Sequence, residues 1–186
     1  SVIINGVRNI DSTTSYTFKN ITSDSSIRVV YKIKTYSITA SAETGGNITP
    51  SGESIVNYGS RPSYTITANT GYELDSLVIN GIKVTNINVY QFDSIKSNQT
   101  IRVTFKIKPY SITASAGANG NITPFGESIV NYGSRPSYTI TPAIGYELDS
   151  LFINGVKVTN TNLYQFDSIK SSQTIRVIFR IKTYSI

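Results

Sequence analysis

Apolar and polar residues alternate strictly along Ile101-Arg102-Val103-Thr104-Phe105-Lys106-Ile107-Lys108, every odd position apolar and every even one polar or charged. Successive side chains of a strand point to opposite faces, so this segment predicts a strand with one buried and one wet face. Tyr36 to Ala40 and Tyr64 to Ala68 alternate in the same way, and Glu53 to Tyr58 predicts another short strand. In Leu77-Val78-Ile79-Asn80-Gly81-Ile82-Lys83-Val84 the Asn-Gly pair suits the positive φ angles of a two-residue type I′ turn, which predicts a tight hairpin. Tyr72 and Leu74 alternate in one phase and Leu77 and Ile79 in the other, which predicts a β-bulge near Asp75-Ser76. A last strand is expected over Tyr90 to Phe92, followed by a turn through Asp93 to Asn98. No window of ten or more residues carries a 3.6-residue period, and Gly59, Pro62 and Gly71 interrupt the stretch where a crossover helix would sit. The expectation is an all-β fold of small antiparallel modules with essentially no α-helix, Ser94–Ser97 being the first place to look for a single turn.

The pattern repeats. Tyr36-Ser37-Ile38-Thr39-Ala40-Ser41-Ala42 recurs at Tyr110 to Ala116, and Tyr-Ser-Ile returns at Tyr184, a spacing of about 74 residues. Residues 36–109 and 110–183 align without a gap and differ at roughly 15 positions. Ile3-Ile4-Asn5-Gly6-Val7 and Ile27-Arg28-Val29 match the later part of the repeat, with one extra residue between Gly6 and Tyr16. The chain thus divides into the C-terminal half of a repeat (1–35), two complete repeats (36–109 and 110–183) and the start of another (184–186), and a longer native array is expected. A phasing of the structural unit at 1–75 and 76–150 satisfies the period equally well. No Gly/Ser-rich spacer interrupts Phe105 to Ile112, so the last strand of one repeat is expected to run directly into the next. The apolar phase flips there, which predicts modules rotated about the chain axis and arranged as a rod that grows by on the order of 30 Å per repeat.

Composition narrows the function classes. Charged residues make up 15 % of the 186, and His, Cys, Met and Trp are all absent. That removes the commonest general base, the best nucleophile and most transition-metal ligands, so an enzyme, a metal site and a cofactor are not expected. Without cysteine, stability must come from packing and strand pairing. No apolar run approaches the roughly 20 residues needed to cross a bilayer as a helix. A net charge of +6 permits weak attraction to polyanions but, with no stacking platform, does not point to nucleic acid.

Three constellations carry chemistry. Glu73 with Asp75, and Glu147 with Asp149, are paired carboxylates whose plainer reading is solvated residues beside a bulge. Arg102, Lys106 and Lys108, recurring as Arg176, Arg180 and Lys182, form a basic strand face able to hold polyanions or, more plainly, to keep a strand edge from aggregating. The segment Asn57 to Tyr64, repeated unchanged at Asn131 to Tyr138, offers Tyr58 with Arg61 and Tyr132 with Arg135 as a sugar-stacking loop; its plainer reading is a turn with Tyr64 in the core.

The order Tyr36-Ser37-Ile38-Thr39, Gly45-Gly46, Val56-Asn57-Tyr58-Gly59, Gly71-Tyr72-Glu73-Leu74, Asn80-Gly81 and Thr100 to Phe105 resembles the divergent form of the internalin B-type B-repeat. Leu77-Val78-Ile79 stands where better-known members have a Trp-containing segment. The resemblance implies β-grasp-like or sandwich-like modules in a bacterial cell-surface or secreted protein, serving as stalk or adhesive segments. The expected role is a stiff spacer whose partners are neighbouring repeats of the same chain. The alternatives are an adhesin module that binds glycans or cell-wall polyanions, and a filament subunit that self-associates through strand edges.

Overall fold

The computed structural model describes residues 1–9 and 15–184. The extra residue between Gly6 and Tyr16 overlaps the span 10–14, and Ser185 and Ile186 close the predicted next repeat; these lie outside the described residues. Among the described residues there are strands, turns and irregular segments and no helix.

In the first complete repeat the strands are β4 (Thr35–Ala42), β5 (Gly46–Thr49), β6 (Gly52–Asn57), β7 (Ser63–Ala68), β8 (Tyr72–Ile79), β9 (Ile82–Val84), β10 (Val89–Gln91) and β11 (Gln99–Ile107), preceded by β1 (Val2–Ile4), β2 (Val7–Asn9) and β3 (Ile27–Val29). The second repeat follows as β12 (Pro109–Ala116), β13 (Gly120–Thr123), β14 (Gly126–Asn131), β15 (Ser137–Pro142), β16 (Tyr146–Ile153), β17 (Val156–Val158), β18 (Leu163–Gln165) and β19 (Gln173–Ile181). Each repeat builds a five-stranded sheet, ordered β6-β4-β11-β8-β9 in the first, and a three-stranded sheet ordered β10-β7-β5. The core lies between these two layers. Ile38, Leu77, Ile101 and Val103 reach it from the larger sheet, Ile48, Tyr64 and Ile66 from the smaller, and Phe92 and Ile95 from the segment beyond β10.

The expected hairpin forms with Asn80 at φ 50° and Gly81 at φ 81°, both positive as a type I′ turn requires. Asn80 does a second job, because its side-chain oxygen accepts from the Thr100 amide at 2.8 Å while its own amide donates to the Thr100 carbonyl. The same clasp joins Asn5 to Ser26 and Asn154 to Thr174. The bulge is present too: opposite β11 the register steps from Ser76 to Leu74, leaving Asp75 extra.

Three expectations need correcting. The larger sheet is mixed rather than antiparallel, because β4 and β11 pair in parallel, Ile38 opposite Gln99 and Ala40 opposite Ile101. The first and last strands of a repeat thereby become neighbours, which alternation alone does not encode. No helical turn forms near Ser94–Ser97. Ile95 is 1 % exposed, its amide donates to the Ser60 carbonyl and its carbonyl accepts from the Gly59 amide, so the segment is held against the preceding loop. The short strand β5 was not expected. It rests on Gly46, where a Cβ would stand 2.3 Å from Cζ of Phe105; only a glycine lets that ring cover the backbone.

β1, β2 and β3 form a small sheet ordered β2-β1-β3, in which Val2 is buried but Ile27 and Val29 are about half exposed. Among the described residues nothing pairs with β3 where β4 flanks β11.

Candidate functional site

A single residue, Lys108, separates β11 from β12. Its amide donates to the Gly71 carbonyl of the first module at 2.8 Å, and its carbonyl accepts from the Tyr132 amide of the second at 2.9 Å. Each partner sits in a tight turn. Asn69 to Tyr72 closes with the Tyr72 amide on the Asn69 carbonyl and Gly71 at φ 82°; Asn131 to Ser134 closes with the Ser134 amide on the Asn131 carbonyl and Gly133 at φ 80°. A positive φ at the third position alone is the mark of a type II turn, and Tyr132 is the second residue of its turn. The Tyr132 ring lies on Gly71: a Cβ built there would be 2.3 Å from Cδ1 of Tyr132. The ring also meets Tyr110 at 6.5 Å between centroids, and the Lys108 ammonium stands 5.9 Å from the Tyr110 centroid.

The same pieces recur at both outer ends. Tyr58 packs on Tyr36 at 6.4 Å and its amide donates to the Lys34 carbonyl, but 53 % of it is exposed. At the other end the Lys182 amide donates to the Gly145 carbonyl at 2.9 Å, and Gly145, at φ 81°, has nothing within 4 Å of an added Cβ. An open cleft of about 560 Å³ lies there, lined by Ile144, Gly145, Tyr146, Lys182 and Tyr184 among others.

The tyrosines expected to hold a sugar are therefore placed at module ends. Tyr58 borders a cleft of about 460 Å³ with Ile33, Lys34 and Tyr36, and Arg61 is not part of its lining. Arg61 and Arg135 are exposed on their loops, where each backbone carbonyl accepts a long 3.4 Å bond from Gln91 or Gln165. Tyr64, the other tyrosine of the segment, is 1 % exposed and belongs to the core.

Some of the carboxylates and cations of the basic strand face pair with one another. Lys106 lies across the ladder from Glu73 and reaches it at 3.3 Å; Arg180 hydrogen-bonds Glu147 at 2.7 Å and stands 3.6 Å from Asp149. The Glu147 hydrogen bond, then its charge, raises the Arg180 pKa above the ordinary value. Arg102 pairs with Glu43. Among the described residues Lys108, Arg176 and Lys182 make no ion pair, and Gly117 stands where Glu43 would serve Arg176. Glu147 also lines the open cleft at Gly145. Among the described residues no three Asp or Glu side chains cluster to hold a metal ion. Phe152, opposite Arg176 in the register, lines a shallow cleft of about 320 Å³ with Arg176, Thr113, Ser115 and Thr174. Alternation pointed to Arg176 but not to this patch, which needs the pairing of two strands to bring Phe152 beside it.

A family model for the divergent InlB B-repeat domain matches residues 36–109 and 110–181. No curated protein sequence matches the chain. Among solved structures, the TIE protein of Bacillus anthracis is similar over 83 % of this chain and 36 % of that one, with 12 % identity and a TM-score of 0.36. The chain thus spans about a third of that structure's length.

Proposed function

From the premise that the chain belongs to the divergent InlB B-repeat domain family, two copies in tandem, we propose that this region is a stiff spacer in a bacterial cell-surface or secreted protein. The observation that supports it is Lys108, a one-residue link whose amide is bonded to one module and whose carbonyl is bonded to the other. A link of that length, tied on both sides, has no flexible residues to spend on bending. The role proposed is mechanical and not enzymatic. Small-angle scattering on arrays of two, three and four modules tests the reading. The maximum dimension is expected to grow linearly, by on the order of 30 Å per module; growth that lags behind linear would overturn it.

An adhesive role is the second reading, favoured by the Phe152–Arg176 cleft, where an aromatic ring, a cation free of carboxylates and three hydroxyls share one sheet face. Binding to acidic glycans on an array, lost in Arg176→Ala, is its expected signature. An array silent towards neutral and acidic glycans alike removes it.

A further inference from the structure

We propose that Tyr132 and Gly71 are the docking pair that fixes one module against the next, a ball of tyrosine in a socket that only glycine can form. The inference rests on the spacer reading and names the contact that would make the spacer stiff. Two independent features demand glycine at position 71. Its φ of 82° is strained for any residue with a side chain, and an added Cβ would come within 2.3 to 2.8 Å of three atoms of the Tyr132 ring. At Gly145 the backbone demand is the same, φ 81°, while the space is open. Tyr58 likewise reproduces Tyr132 in every contact except the socket: its ring meets Tyr36 as Tyr132 meets Tyr110, and its amide donates to Lys34 as that of Tyr132 donates to Lys108.

The surface on the first module is the turn Asn69 to Tyr72; the partner it fits is the Asn-Tyr-Gly turn of the module that follows. The two bonds of Lys108 limit bending, but two bonds about one residue do not by themselves fix the rotation of one module about the link. A ring seated on a backbone removes that freedom, because turning the modules apart would expose both the ring and the glycine. The joint therefore selects one relative orientation chiefly by shape.

The chain holds no cysteine, so Lys83→Cys and Lys157→Cys, both at exposed hairpin positions, give a unique spin-label pair, one label per module. Pulsed dipolar spectroscopy on the whole chain reads their distance distribution. The unsubstituted protein should give a single narrow peak, which Gly71→Ala and Tyr132→Ala each lose and Tyr132→Phe keeps. Gly145→Ala and Tyr58→Ala should leave it unchanged. Gly71→Ala should also lower the folding equilibrium constant relative to Gly145→Ala by about tenfold, the ordinary effect of overpacking, whereas equal losses would show that φ strain is the whole effect. A narrow peak that survives both Gly71→Ala and Tyr132→Ala overturns the docking pair and leaves the spacer standing. A broad peak in the unsubstituted protein overturns the spacer itself.

Discussion

The two complete repeats differ at roughly 15 positions, yet the side chains of their cores are the same. Ile38, Leu77, Ile101 and Val103 in the first repeat face Ile48, Tyr64 and Ile66, as Ile112, Leu151, Ile175 and Val177 face Ile122, Tyr138 and Ile140 in the second. The differences gather on exposed turns and the wet face of the larger sheet, where a change costs little. Some of them move together. In the first repeat Thr104 bonds Ser76 at 2.7 Å and Asp75 at 3.3 Å, and Lys106 pairs with Glu73. In the second, Ile178 replaces Thr104, Ser150 bonds Asp149 instead at 2.8 Å, and Arg180 reaches both Glu147 and Asp149. Loss of the threonine hydroxyl frees a carboxylate, and the forked guanidinium takes up both acids where an ammonium serves one. The fold tolerates such exchange because the core on the other face of the same strands is untouched.

If the cores are equivalent, Leu77→Ala and Leu151→Ala should give the largest and closely matched losses, about 2–5 kcal/mol each for a fully buried leucine. Urea unfolding of each variant measures this, and a marked inequality would show that the neighbouring module or the chain end sets stability more than the core does. Gly46→Ala and Gly120→Ala should follow, at about 1–3 kcal/mol, since the added methyl strikes the Phe105 or Phe179 ring in both repeats. Asn80→Ala and Asn154→Ala remove two side-chain bonds to the neighbouring strand, to Thr100 and Gln99 or to Thr174 and Gln173, and a residue suited to positive φ, for an expected loss of about 1–2 kcal/mol in thermal unfolding. The smallest effect tests the difference between the repeats. Gly117→Glu should give Arg176 the partner that Arg102 has, adding at most about 1 kcal/mol that vanishes as salt is raised. A gain indifferent to salt would trace instead to the reduced freedom of the unfolded chain on losing a glycine.

Much of this fold is legible in one dimension. The strand faces, the Asn80-Gly81 hairpin, the bulge at Asp75 and the burial of Tyr64 all follow from alternation or from a dipeptide's φ preference, which are properties of neighbouring residues. The candidate sites were less legible. The acids Glu73 and Glu147 and the cations Lys106 and Arg180 look like separate features along the chain and prove to be partners across a ladder.

By itself, then, the sequence determined the repeat, the β character, the family and which face of each strand is buried, because each is carried by local periodicity or by self-similarity. Only the tertiary structure decided that the first and last strands of a repeat pair in parallel, that Ile95 is tied to Gly59 and Ser60, and that Tyr132 seats on Gly71. Those contacts join residues far apart in the chain, and their energy depends on shape and register in space, which no local pattern encodes.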